Sequence, residues 1–306
     1  MNRVAVVGLG TMGAGMVATL ARAGLTVSAY DVSAEQRAGA SAAIAAAAQV
    51  LDALGLPDNN TGDTAPRIAE SLADCVAGAE LVIENVPEKL ALKIEVLQAV
   101  DALVSETCVL ASDTSGIPIT KLQAGVSHPG RVVGMHWSNP PHIIPIIEVV
   151  AGQQTSPETV SWMVETVTGL NMLPVVVKKD VPGFVEHRIL YAIMREAVDL
   201  VEQGVIDAEG LDTCVSWGIG YKLAVVGPMA LLDMAGLDIY QAVGSYLNED
   251  LCARKDVSAM IAEKTGRGEL GMKTGKGMFS YTPEQLAELR AARAKKLVAV
   301  RRVLES

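Results

Sequence analysis

As far as Lys178, short runs of aliphatic and β-branched residues alternate with longer stretches of helical character. The runs Arg3–Gly8, Leu25–Tyr30, Leu81–Val86, Cys108–Ser112, Arg131–His136, Ile146–Ala151 and Leu173–Lys178 read as strands. Met12–Ala23, Ala34–Leu54 and Leu90–Leu103 between them read as helices, the second so rich in alanine that propensity alone favours it. Such alternation predicts an α/β fold, a Rossmann-type doubly wound parallel sheet covered by crossover helices. The pattern changes at Lys178–Phe184, where Pro182 and Gly183 break regular structure. Beyond it Ile189, Ala192, Ile193, Ala197, Leu200 and Val201 recur at helical spacing. A last helix opens at Thr282-Pro283-Glu284, an N-cap followed by proline at the first helical position. We therefore expect two domains, 1–181 as a Rossmann domain and 182–306 as an all-α domain.

Composition sharpens this reading without changing it. The 306 residues are 50% hydrophobic and 20% charged, enough apolar surface for a substantial core. The net charge of −10 argues against nucleic acid or an anionic membrane as partner, because both need clustered cations. No apolar run reaches membrane-spanning length and no secretory leader is evident, so a cytoplasmic protein is expected. Cys75, Cys108, Cys214 and Cys252 are scattered, with neither zinc-site nor disulfide spacing, and read as small apolar residues. No metal site is expected.

Gly8-Leu9-Gly10-Thr11-Met12-Gly13 is a GxGxxG loop between a predicted strand and a predicted helix. Gly8 makes the tight turn, Gly10 admits a pyrophosphate against the backbone, and Gly13 lets helix and strand approach. The helix N-terminus, with Thr11 and Met12, then offers free N–H groups to the phosphates. Asp31 ends the second strand 18 residues after Gly13, where a carboxylate accepts the ribose hydroxyls and repels a 2′-phosphate. No arginine follows it directly, the nearest being Arg37. The expected cofactor is NAD.

His136 ends a strand, and Glu148 lies 12 residues on, inside the run Ile146-Ile-Glu-Val-Val150. A carboxylate among β-branched residues needs a buried partner. One reading is a dyad in which Glu148 orients the imidazole and His136 takes a proton as hydride leaves the substrate. The other is a structural histidine beside a buried ion pair. His128 and His142 read as loop residues.

The glycine loop, His136 with Glu148, Asp180-Val-Pro-Gly-Phe184 and Lys273-Thr-Gly-Lys-Gly-Met-Phe279 together resemble the L-3-hydroxyacyl-CoA dehydrogenase family along essentially the whole chain. The resemblance implies that His136 is the general base, Glu148 its partner and Ser115 a substrate-contacting serine. It implies that Asn139 stands near the reacting centre, that Glu88 and Lys93 lie by the nicotinamide ribose, and that the protein is a homodimer.

Three features depart from the family pattern. His187 stands where the GFxxNR motif has asparagine, in Gly183-Phe-Val-Glu-His-Arg188. The helical excursion after Asp31 has no lysine, and residues 33–72 carry Arg37 and Arg67 against Glu35, Asp52, Asp58, Asp63 and Glu70. Such a surface repels the phosphates of CoA. The segment Gly220-Tyr-Lys-Leu-Ala-Val-Val-Gly-Pro228 is longer than its family counterpart, and Lys222 in it is either a partner for a substrate carboxylate or a solvated surface lysine. The expected activity is NAD-dependent dehydrogenation of a small anionic substrate other than a CoA ester, with Ser115, Asn139, His187 and Lys222 as substrate contacts. A 3-hydroxyacyl-CoA dehydrogenase and a non-catalytic NAD-binding protein remain the alternatives.

Overall fold

In the computed structural model the described residues are 1–60 and 65–305, so Asp63 lies outside them. Every predicted strand forms, and the eight strands join in one sheet: β1 (Arg3–Val7), β2 (Thr26–Tyr30), β3 (Arg67–Ile68), β4 (Leu81–Glu84), β5 (Val109–Ser112), β6 (Val132–Trp137), β7 (Ile146–Ala151) and β8 (Leu173–Val177). Their order is β3-β2-β1-β4-β5-β6-β7-β8. The order reverses beside β1, which is where ligands bind in such sheets. The helices of this unit are α1 (Gly13–Arg22), α2 (Ala34–Leu54), α3 (Leu72–Val76), α4 (Leu90–Asp101), α5 (Ile119–Gln123) and α6 (Pro157–Gly169).

Local chemistry sets the helix ends. Ser33 caps α2 by accepting from the Gln36 N–H, and Gly55 closes the helix at φ 74°. Ser156 caps α6 in the same manner, with Pro157 in the first turn.

One pairing corrects the expectation of an all-parallel sheet. β6 and β7 run antiparallel, with His136 directly opposite Glu148. Their connection, residues 138–145, is shorter than the dozen residues a parallel crossover needs. β8 then returns parallel to β7.

The chain divides into two compact units, Met1–Arg188 and Ile189–Ser306. The division falls within a seventh helix, α7 (Glu186–Glu202), a few residues beyond the break in pattern at residue 181. The second unit is helical among its described residues, apart from isolated bridges joining Gly271, Lys276 and Ser280. Its last helix spans Pro283–Glu305, beginning at the predicted proline. Lys222 is exposed on a short turn of helix, Tyr221–Leu223. Among the described residues no single helix is long and apolar enough to cross a membrane.

Candidate active site

The nucleotide end is built from close backbone approaches. Gly8 has φ +113°, and a Cβ there would stand 2.3 Å from the Asn85 carbonyl oxygen. A Cβ on Gly13 would stand 2.3 Å from the Gly8 oxygen, so α1 packs on the loop only because both positions lack a side chain. Gly10 has open space around it, which leaves room for a ligand. No side chain caps α1 and no acid occupies its first turn, so its N–H groups and dipole are available to an anion. Asp31 holds the loop by accepting from the Leu9 N–H at 2.8 Å and the Ser33 N–H at 2.8 Å. Each carboxylate oxygen keeps a further lone pair for a ribose hydroxyl. Arg37 donates to the Asp31 carbonyl oxygen at 2.8 Å and lies 5.7 Å from the centre of the Tyr30 ring.

The chemistry sits across the β6–β7 rung. His136 and Glu148 are buried, and their side chains meet at 2.8 Å between Nδ1 and Oε2. Glu148 is ionised, so Nδ1 carries the hydrogen and Nε2 is the nitrogen available for proton transfer. The other Glu148 oxygen accepts from the backbone N–H groups of Val185 at 3.0 Å and Glu186 at 3.1 Å. Burial opposes the charge on Glu148, but these bonds and the imidazole outweigh it and hold the carboxyl below its usual value. For His136 burial likewise opposes protonation, yet the Glu148 bond and the facing carboxylates prevail and raise its pKa.

The Asp180–Phe184 motif explains how two backbone N–H groups reach Glu148. The Asp180 carboxylate accepts from Ile119 N, Thr120 N and Thr120 Oγ1, which pins the start of α5. The chain then reverses through Gly183 at φ 78° and Phe184 at φ 46°, aiming the next N–H groups at β7. Phe184 is 1% exposed and its ring lies 5.9 Å from that of His136, closing one side of the dyad.

Glu88 and Lys93 are joined through the protein itself. Lys93 is 1% exposed and donates to both oxygens of Glu84, at 2.9 and 3.2 Å, and to the Val86 carbonyl at 3.0 Å. Ser112 Oγ donates to the same Glu84 at 2.6 Å. A buried charge left without its partner costs about 3–5 kcal/mol, so this pair holds β4, β5 and α4 together. Glu88 lies 3.4 Å from Lys93 and accepts from Thr114 Oγ1 and the N–H groups of Ser115 and Gly116. It thereby fixes the turn that presents Ser115, which is half-buried. Asn139 is exposed at the end of β6, joined to Pro140 by a cis peptide bond.

Two further acids of the site, Asp113 and Glu186, have no distinctive local signal in the sequence. Asp113 is buried, accepts from the Trp137 N–H at 2.8 Å, and is pushed by burial up to about 8. Glu186 accepts from Ser138 Oγ at 2.6 Å, and ligating atoms of His136, Glu148 and Glu186 lie within 4.8 Å of one another. His187 brings its ring centre to 4.9 Å from that of His136. His142 proves more than a loop residue: its Nδ1 would stand 2.6 Å from a Cβ on Gly15, so the turn after β6 rests on α1. Glu84 had a signal, since it is a lone carboxylate in an aliphatic run, as Glu148 is.

Known proteins resemble this chain in sequence and fold. The model of the 3-hydroxyacyl-CoA dehydrogenase NAD-binding domain matches residues 3–181, and that of the C-terminal domain of 3-hydroxyacyl-CoA dehydrogenase matches residues 183–281. The 5-formyl-3-hydroxy-2-methylpyridine 4-carboxylate 5-dehydrogenase of Mesorhizobium japonicum is 59% identical over 305 residues, 100% of this chain and 99% of the relative. A crystal structure of such a 5-dehydrogenase, described as an NAD+-dependent dismutase, superposes with a TM-score of 0.97 at 59% identity, covering 100% of this chain and 99% of its own. L-carnitine dehydrogenase of Streptomyces griseus is 36% identical over 77% of this chain and 70% of its own length. The (S)-3-hydroxybutyryl-CoA dehydrogenase of Ralstonia eutropha is 32% identical with a TM-score of 0.73, over 92% of this chain and 99% of its own. A glycine loop fitted to NAD, followed by a histidine–glutamate dyad on adjacent strands and matched domain by domain, makes this chain an NAD-dependent oxidoreductase of the 3-hydroxyacyl-CoA dehydrogenase family.

Proposed function

We propose that this dehydrogenase oxidises 5-formyl-3-hydroxy-2-methylpyridine 4-carboxylate to the 4,5-dicarboxylate, a step of vitamin B6 degradation, in the cytoplasm and as a homodimer. The observation that carries the substrate is the 59% identity, along the full length, to a relative bearing that name. NAD+, which the Gly8–Gly13 loop and Asp31 would hold, would supply the acceptor for a hydride from the substrate C–H bond. The chain itself does the proton chemistry: Nε2 of His136 takes an O–H proton from the hydrated aldehyde, while Glu148 stabilises the imidazolium that forms. The carboxylic acid so produced ionises to solvent.

A hydrated aldehyde suits this site better than a thiohemiacetal. Cys75 and Cys108, the thiols of the N-terminal unit, are buried, and burial pushes them up to about 12 and about 11. Neither supplies a thiolate near neutral pH. We assign Ser115 and Asn139 to the substrate oxygens and Lys222 to its carboxylate, with His187 beside the base. Gly8, Gly10, Thr11, Met12, Gly13 and Asp31 hold NAD, while Glu88 and Lys93 shape the nicotinamide end.

A 3-hydroxyacyl-CoA substrate would use the same dyad, and family membership favours it. Against it stands the α2 region, where both arginines have partners: Arg37 with Asp31 and Glu70, and Arg67 with Asp74 at 2.5 Å. The deciding assay compares NADH formation with the pyridine aldehyde and with 3-hydroxybutyryl-CoA. We expect turnover of the aldehyde and little of the thioester, and the reverse ranking overturns the assignment.

A further inference from the structure

The imidazole of His136 has a second imidazole beside it, and the neighbouring carboxyl groups come from every element packed around the two. Their ring centres are 4.9 Å apart and their planes inclined at 55°. Glu148 faces them from β7, Asp113 from the end of β5, Glu88 from the loop after β4, and Glu186 from α7 itself. The glutamates of this array favour keeping one positive charge among them, while Asp113, raised to about 8, stays neutral near pH 7. Two imidazolium rings at such a distance repel each other, so the second charge is disfavoured. The pair therefore titrates as a unit that holds one proton across an intermediate pH range.

We propose that His187 is a second proton-holding group acting through His136: the two rings share one proton, carried by His187 when His136 works as a base and by His136 when it works as an acid. Burial and then the His136 charge pull His187 down, whereas His136 is raised, so the shared proton rests on His136 and moves to His187 only while His136 works as a base. Paired groups driven apart in this way divide acid and base roles between them.

The proposal rests on the aldehyde reading above and extends it to both directions of reaction, as a dismutating enzyme needs. In oxidation the hydrated aldehyde loses hydride to NAD+ and one O–H proton to His136, and the resulting acid releases its second proton to water. In reduction, hydride from NADH reaches the carbonyl carbon and the His136 proton reaches the carbonyl oxygen, leaving the alcohol. Parking the shared proton on His187 frees His136 for the first half-reaction, and its return equips His136 for the second. His187 is thus a positioning residue.

The chain has four histidines, so each imidazole can be followed by NMR in the protein without substrate. In His136→Asn the His187 midpoint should rise by about one unit or more as the facing charge is removed. An unmoved His187 midpoint overturns the proposal. In His187→Asn, oxidation with NAD+ should fall about tenfold near neutral pH and recover as pH is raised, while reduction with NADH stays within about twofold. Equal losses in the two directions at every pH also overturn it. If the unmodified enzyme fails to turn over the aldehyde, the substrate reading falls, and the titration in His136→Asn still decides the shared proton.

Discussion

The two units of the chain satisfy their apolar residues in opposite ways. In Met1–Arg188 the central strands and the inner faces of their helices are sealed, from Val4 and Leu20 through Leu110 to Val149 and Met163, while the edge strand β8 leaves a row of aliphatic residues, Leu173, Val175 and Val176, exposed. In Ile189–Ser306 the one hydrophobic side chain buried among the described residues is Val298, itself 9% exposed. Trp217, Met229 and Met234 are 75%, 69% and 73% exposed there, far more apolar surface than a helical domain leaves to water alone. A sheet carries its own core, because its central strands are covered on two faces by helices from the same chain. The homodimer proposed above would cover the second unit's exposed faces.

The sharpest way to separate the units is to break chemistry in the first while leaving the second alone. His136→Ala should lower turnover by roughly 10²–10⁴ while NAD still binds, measured by steady-state rates and by cofactor titration. Full activity in that variant would remove His136 from the mechanism. The converse experiment charges the second unit. Trp217→Asp combined with Met229→Asp should halve the mass seen by sedimentation from dimer to monomer, without changing NAD affinity. A monomeric mass for the unmodified protein would refute the dimer, and a dimer that survives both substitutions would place its interface elsewhere.

A smaller effect tests how far the first unit's core tolerates charge. Asp113 is raised from 3.8 to about 8, so across that window the folded chain holds a proton that the unfolded chain has released. Stability attributable to this group is complete below about 4 and is lost as pH rises towards about 8. Asp113→Asn keeps an acceptor for the Trp137 N–H and removes the titration. Urea unfolding at pH 5 and pH 8 should show a smaller drop in stability with pH for this variant than for the original chain. An unchanged drop would mean that Asp113 is ionised in its pocket.

What the sequence made legible was what depends on local spacing. The glycine loop, Asp31 and the strands follow from residues a turn or a strand apart, and period-two or helical patterns survive whatever packs around them. The antiparallel turn between β6 and β7 had its own signal, since residues 138–145 cannot hold a crossover helix, but β-branched runs look alike in either direction. Pairings across long separations were less accessible. Glu84 with Lys93 and Ser112, or Glu88 with the Thr114–Gly116 turn, depend on strands being neighbours in space. His187 stands out in the sequence as an odd residue in its motif, while its place against His136 depends on the reversal at Gly183 and Phe184. Glu186, one position earlier, carries no signal of its own, because glutamate is common at a helix start.

The rung that sets His136 against Glu148 belongs to the backbone ladder of the sheet, with β8 bracing β7 from its far side. A slip of one residue would throw the carboxylate to the opposite face, so the dyad is inherited whole or lost whole. The loops that meet substrate carry no such obligation. Descendants of one ancestral sheet can therefore exchange thioesters for ring aldehydes by editing turns and helix starts, with the machinery for moving a proton passed down intact.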